Sequence, residues 1–181
     1  MYNKTVMKKV PFFLTLALML FSHTSFTPSV GGKVNWMSID EIREALLRSP
    51  RPVLIDLYTD WCGWCKVMDR ETYSSSKVAD YINSHYYPLK FNAEQKDEVV
   101  WNGKTYSFDA ANKTNSFAIY LTGGQLSYPT TVFLAAPDAQ PAPLPGYLKP
   151  SEIEPPLKFF GDVAYKSQNY PAFMKTFKGS W

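Results

Sequence analysis

The chain has two cysteines, Cys62 and Cys65, and they stand three residues apart. Before them runs Pro52-Val-Leu-Ile-Asp-Leu-Tyr58, apolar and β-branched, which predicts a buried strand. After them, Cys65-Lys-Val-Met-Asp-Arg-Glu-Thr72 has neither Gly nor Pro and predicts a helix. The pair therefore sits where a strand hands over to a helix. Free backbone N–H groups and the positive end of the helix dipole favour a thiolate on Cys62 at such a point. A thiolate three residues from a second thiol suffices for exchange: the first sulfur attacks, a mixed disulfide forms, and the second sulfur resolves it.

Other uses of the spacing fit less well. Zinc needs two further ligands, and beyond the pair the chain offers only His23 and His85, the first inside the apolar leader described next. Covalent haem attachment wants His after the second cysteine, where this chain has Lys66. A structural disulfide closing so short a loop would restrain the unfolded chain very little. Redox chemistry remains, with no metal and no cofactor beyond the two sulfurs.

Residues 1–27 predict a secretory signal: Lys8 and Lys9, an apolar run from Val10 to Phe21, then small residues, with cleavage expected near Thr24. The apolar run is short for a membrane span, which needs about 20 residues. The signal implies a periplasmic or secreted location, where disulfides form and are managed. The chain has 19 Lys+Arg and 16 Asp+Glu, but Lys4, Lys8 and Lys9 all fall in the leader, leaving 16 against 16 beyond it. A balanced mature chain carries no argument for nucleic acid or an anionic membrane. Residues 28–181 are long enough for one domain, expected as a monomer, with a real core.

Along that domain, Ser38-Ile-Asp-Glu41 predicts a capped helix, with Ile39, Ile42, Leu46 and Leu47 on one face, ending before Pro50. Lys77–Ser84 is a second helical piece, with Val78, Tyr81 and Ile82 inward. Residues 87–92 and 130–134 are strands. Glu98–Phe108 holds two alternating segments around Asn102-Gly103, a strong hairpin signal. Asn115 caps a short helix through Leu121. Pro137–Pro145 is a Pro-rich loop. Helices follow from Ser151, with Pro155 and Pro156 near the first turn, and over Pro171–Phe177.

These features together resemble the thioredoxin superfamily across about residues 37–160. The resemblance rests on Asp56, Trp61-Cys62-Gly63-Trp64-Cys65-Lys66, Lys90-Phe-Asn-Ala-Glu94 and Tyr128-Pro129-Thr130. Trp64 stands where thioredoxin itself has Pro, and a stretch of about thirty residues, 95–124, is inserted. Both look more like secreted bacterial thioredoxin-like proteins and the periplasmic thioredoxin domain of transmembrane disulfide reductases. The resemblance implies an α/β/α fold with a central mixed sheet and an inserted β-hairpin. It implies Cys62 as exposed nucleophile, Cys65 as buried resolving thiol, Asp56 as its base and Lys90 as partner of Asp56. It also implies a cis bond at Pro129 and a substrate surface from Trp61, Gly63, Trp64, Tyr128 and Pro129.

The expected function is an exported thiol–disulfide oxidoreductase that reduces protein disulfides and is re-reduced by a membrane-bound donor. Asp56, Trp61 and Lys66 favour reduction. A disulfide oxidase or isomerase of the same fold is the alternative within this chemistry; a non-catalytic thioredoxin-like binding module is the alternative outside it.

Overall fold

Ser38 opens the first helix through a complete capping box. Its Oγ accepts the Glu41 N–H at 3.3 Å, and the Glu41 carboxylate accepts the Ser38 N–H at 2.7 Å. The computed structural model describes residues 32–181, so the expected signal at 1–27 lies outside the described residues. Helix α1 (Ile39–Arg48) buries Ile42 and Ala45. Leu47, expected on that face, is 89% exposed, because its position relative to Ala45 turns it to the far side of the helix.

Strand β1 (Val53–Tyr58) leads to α2 (Gly63–Met68), which continues as a π-helical turn over Asp69–Tyr73. Helix α3 (Ser76–His85) and strand β2 (Tyr87–Asn92) follow. Tyr81 of α3 is half-buried rather than inward; Val78, Ala79 and Ile82 form its buried face. Two small ribbons come next, β3 (Val99–Trp101) with β4 (Lys104–Tyr106), and β5 (Phe108–Asp109) with β6 (Thr114–Asn115). Asn102 and Gly103 turn the first ribbon with positive φ at both positions, the backbone an Asn-Gly hairpin requires. Then come α4 (Ser116–Thr122), β7 (Thr130–Leu134), β8 (Ala142–Pro145), α5 (Pro150–Gly161) and α6 (Tyr170–Thr176).

The main sheet has the order β2-β1-β7-β8, with β2 parallel to β1 and both later contacts antiparallel. Strand alternation sends Val53, Ile55, Leu57, Val132 and Leu134 to one face, against Ile42 of α1 and Phe117, Ala118 and Leu121 of α4. Leu54 and Phe133 point the other way, against Met68, Val78, Ile82, Ile153 and Leu157. Helices on both faces of a mixed sheet make the three-layer α/β/α architecture that the resemblance implies.

Three local expectations are corrected. The Pro-rich stretch ends in a strand: β8 lies at the sheet edge, where Pro143 and Pro145 need supply no outward donor. The stretch at 95–124 divides: β3–β6 form the ribbons, whereas α4 is a core helix with three fully buried side chains. Helix α5 begins at Pro150, so Pro155 and Pro156 fall in its second turn rather than its first.

Within α5, Glu154 is fully buried. Its carboxylate accepts from Lys158 Nζ at 2.8 Å, from Ser180 N and Oγ, and from Trp181 N at 3.1 Å. Burial pushes this carboxyl up, but the four donors outweigh it and hold it down at about 2. The stabilisation is therefore whole above the ordinary 4.5 and lost as pH falls through about 2. Glu154→Gln should lower unfolding free energy at pH 7 by about 2–3 kcal/mol. Denaturant titrations should show the gap to wild type narrowing as pH drops from 4.5; a pH-independent gap would contradict the ionic account.

Candidate active site

Cys62 is the N-cap of α2, with extended backbone, and its Sγ accepts the Cys65 N–H at 3.0 Å. One N–H group freed at the helix start is thus aimed at this sulfur, the kind of contact that favours a thiolate. The two sulfurs form a disulfide with the Cα atoms 5.4 Å apart. Cys65 is buried. Cys62, expected to be exposed, is 3% exposed. The exposed surface belongs to its neighbours, Trp61 at 67% and Trp64 at 62%.

Asp56 shares a strand face with Leu54 and so lies under α2, on the side where Met68 and Tyr73 pack. The sheet register sets Lys90 opposite it on β2 and Thr131 opposite it on β7. Asp56 is 2% exposed, and its Oδ2 accepts from Lys90 Nζ at 3.0 Å. Lys90 also donates to Asp69 Oδ1, and its ammonium lies 5.0 Å from the ring centre of Tyr58 and 5.4 Å from that of Trp36. The buried Tyr73 hydroxyl sits 3.1 Å from Thr131 Oγ1.

Burial pushes the Asp56 carboxyl up; the charge and hydrogen bond of Lys90 pull part of the way back, leaving it at about 6. For Lys90, burial alone would lower the ammonium, but Asp56 and Asp69 more than restore it, and it is held above its ordinary value. A carboxyl poised near neutrality beneath a dithiol can take a proton as the second sulfur attacks. A cavity of about 330 Å³, lined by Trp36, Asp69, Tyr73 and Lys90 among others, opens beside this cluster.

Around the sulfurs stands an aromatic frame. Trp61 donates its indole N–H to Glu94 Oε1 at 2.9 Å and meets Tyr128 edge-on at 5.9 Å. The Tyr128–Pro129 peptide is cis, and the Pro129 carbonyl accepts the Gly146 N–H at 2.8 Å. Trp64 packs against Tyr147 at 5.5 Å. Gly63 faces open space: a Cβ there would meet nothing within 4 Å beyond its chain neighbours.

The structure pairs Asp56 with Lys90 across β1 and β2 and sets Cys62 and Cys65 at the start of the helix that follows β1. Trp61, Gly63 and Trp64 flank the sulfurs, and Tyr128 and Pro129 join them through Trp61. Sequence reading missed Asp69, Tyr73, Thr131, Glu71 and Tyr147. Asp69 carried a signal, since it lies four residues after Cys65 and so on the same helical face. The others meet the site only through the fold. Among the described residues no helix is long and apolar enough to cross a membrane.

The family described as "Thioredox_DsbH: Protein of unknown function, DUF255" matches residues 26–164. The thiol:disulfide interchange protein DsbD of Pectobacterium atrosepticum is 39% identical over 46 residues, 25% of this chain and 8% of that protein. DsbD of Escherichia coli K12 is 34% identical over 58 residues, 32% of this chain and 10% of that protein. The chain therefore spans about a tenth of the length of these curated relatives. Among solved structures, a "DsbH Oxidoreductase" superposes with TM-score 0.53 at 16% identity, over 76% of this chain and 90% of that one. A thioredoxin-fold protein from Helicobacter pylori gives 0.52 at 19%, over 70% and 85%. At such identity these two likenesses speak for the fold.

Proposed function

The chain belongs to the Thioredox_DsbH family and carries the fold and sulfur pair of a thioredoxin-like thiol–disulfide oxidoreductase, and from that premise we propose that it reduces protein disulfides outside the cytosol. Cys62 attacks the substrate disulfide, and one substrate sulfur leaves as a thiol. Cys65, deprotonated through Asp56, then displaces the second substrate sulfur and closes the Cys62–Cys65 bond. Two electrons pass to the substrate, and the protein is left oxidised. A membrane-bound dithiol donor then restores it, a role that the resemblance to transmembrane disulfide reductases supports.

The observation that carries the direction is the charge beneath α2. A pair whose reduced form keeps a stabilised thiolate is a strong oxidant. Here Asp56 and Asp69 set two carboxylates against the single ammonium of Lys90. At neutral pH that net negative charge offsets part of the stabilisation that the helix start gives the Cys62 thiolate, so the dithiol gives up its electrons more readily. Export rests on the leader at 1–27.

The test is a redox titration of Cys62–Cys65 against glutathione, paired with an insulin-reduction assay. We expect a potential nearer thioredoxin's −270 mV than the strongly oxidising −120 mV. A value at the oxidising end, with no insulin reduction, would favour the oxidase alternative.

A further inference from the structure

The aromatic frame has a wall that the reaction above does not use. Tyr147 follows Gly146, whose N–H is bonded to the Pro129 carbonyl, so this loop is pinned beside the active-site proline. The Tyr147 hydroxyl donates to Glu71 Oε2 at 2.7 Å, and Glu71 in turn accepts from Arg70 Nη2 at 2.8 Å. The next residue, Leu148, gives its carbonyl to the Thr72 hydroxyl. Both ends of the Tyr147 ring are therefore tied down, by Glu71 and Thr72 of the active-site helix and by Pro129.

Held in this way, the ring lies against the Trp64 indole at 5.5 Å, tilted by 31°. Trp64 nevertheless keeps 62% of its surface exposed. A half-free indole backed by a fixed ring is a preformed contact surface. On the opposite side, Trp61 is similarly backed by Tyr128 and Glu94. In the chain Gly63 stands between Trp61 and Trp64, and a Cβ there would meet nothing within 4 Å. The Glu71 charge is partnered by Arg70, so the Trp64 wall presents apolar area rather than a free carboxylate.

We propose that Tyr147 is a specificity-determining residue. It fixes Trp64 as one wall of a cleft that takes an extended polypeptide carrying an aromatic side chain beside its disulfide-bonded cysteine. The inference rests on the oxidoreductase reading and names its substrate class. Ring-on-ring contact is worth enough to favour such a chain about fivefold over one with a small polar neighbour.

The test uses two synthetic peptides, each a mixed disulfide with glutathione and differing only in Phe or Ser next to the cysteine. The reduced protein is mixed with each, and the ratio of the two second-order rate constants is recorded. A ratio taken on one protein cancels any general change in activity. Wild type should favour the Phe peptide about fivefold. Tyr147→Ala should bring the ratio near one, and Tyr147→Leu, which fills the space without a ring, should do the same should the smaller side chain fail to fold. Leu47→Ala, on the exposed face of α1, should keep the wild-type ratio.

An unchanged preference in both Tyr147 variants would overturn the proposal, as would a wild-type ratio near one. If the reduced protein consumed neither peptide nor glutathione disulfide, the oxidoreductase reading itself would fall. The cleft is then judged by binding, from tryptophan quenching of the oxidised protein by the same peptides with Ser for Cys. Tighter binding of the Phe peptide, abolished by the Tyr147 variants, sustains the cleft; equal binding ends it.

Discussion

Cys62→Ser should bring protein-disulfide reduction to the uncatalysed level, whereas Cys65→Ser should attack normally and stop as a stable mixed disulfide with substrate. The difference follows from position on one helix. Cys62 is the N-cap, and its sulfur already accepts an N–H from the first turn, at 3.0 Å. That hydrogen bond and the dipole both favour the anion that must attack. Cys65 sits inside the helix and is buried, with no terminal N–H group aimed at its sulfur. Both sulfurs are buried in the disulfide form, so the asymmetry has to appear once the ring opens. Mild alkylation of the reduced protein, followed by mass mapping, reads it directly: Cys62 should carry the label first. Labelling of Cys65 ahead of Cys62, or near-normal turnover by Cys62→Ser, would reverse the assignment.

How much of this was legible beforehand depended on how local each signal was. The capping box at Ser38 and the Asn102-Gly103 turn are complete within four residues, and the fold keeps both. The continuous apolar runs of β1 and β7 were legible as buried strands, and both are buried on both faces. Strand β8 was hidden because Pro143 and Pro145 are strand breakers everywhere except at an edge, and being at an edge is a property of the sheet, not of the segment. The burial of Asp56 was visible, since a lone carboxyl stood in an apolar strand. Asp69 as a second partner of Lys90 was not, because the π-helical turn after Met68 decides where its carboxylate points. Tyr147 and Glu71 are 76 residues apart, and only the β8–α5 connection brings them together. A local pattern cannot encode such a pair, so the cysteines and Asp56 stood out in the sequence while the residues packed around them did not.

Asp56→Asn should give a protein that is more stable and slower. The wild-type carboxyl is held at about 6, above its ordinary 3.8. Between those values the folded chain keeps a proton that the unfolded chain has released. The contribution of Asp56 is therefore whole below 3.8 and lost as pH rises through about 6, which leaves the ionised group unfavourable at pH 7 by up to about 3 kcal/mol. Asn keeps the shape and removes the charge, and Lys90 retains Asp69 as partner. The variant should thus unfold at higher denaturant than wild type at pH 7, with the two converging below pH 4. The same change removes the carboxylate proposed as base for Cys65. Stopped-flow measurement should show resolution of the mixed disulfide slowed about 10²-fold, while its formation by Cys62 is affected far less. Wild-type resolution should rise with pH through about 6 as Asp56 ionises, and the variant should lack that inflection. Equal resolution rates with the same pH profile would remove Asp56 from the reaction and leave it a buried charge held by Lys90. A stability gain at pH 7 without a kinetic defect would separate its electrostatic cost from any catalytic use.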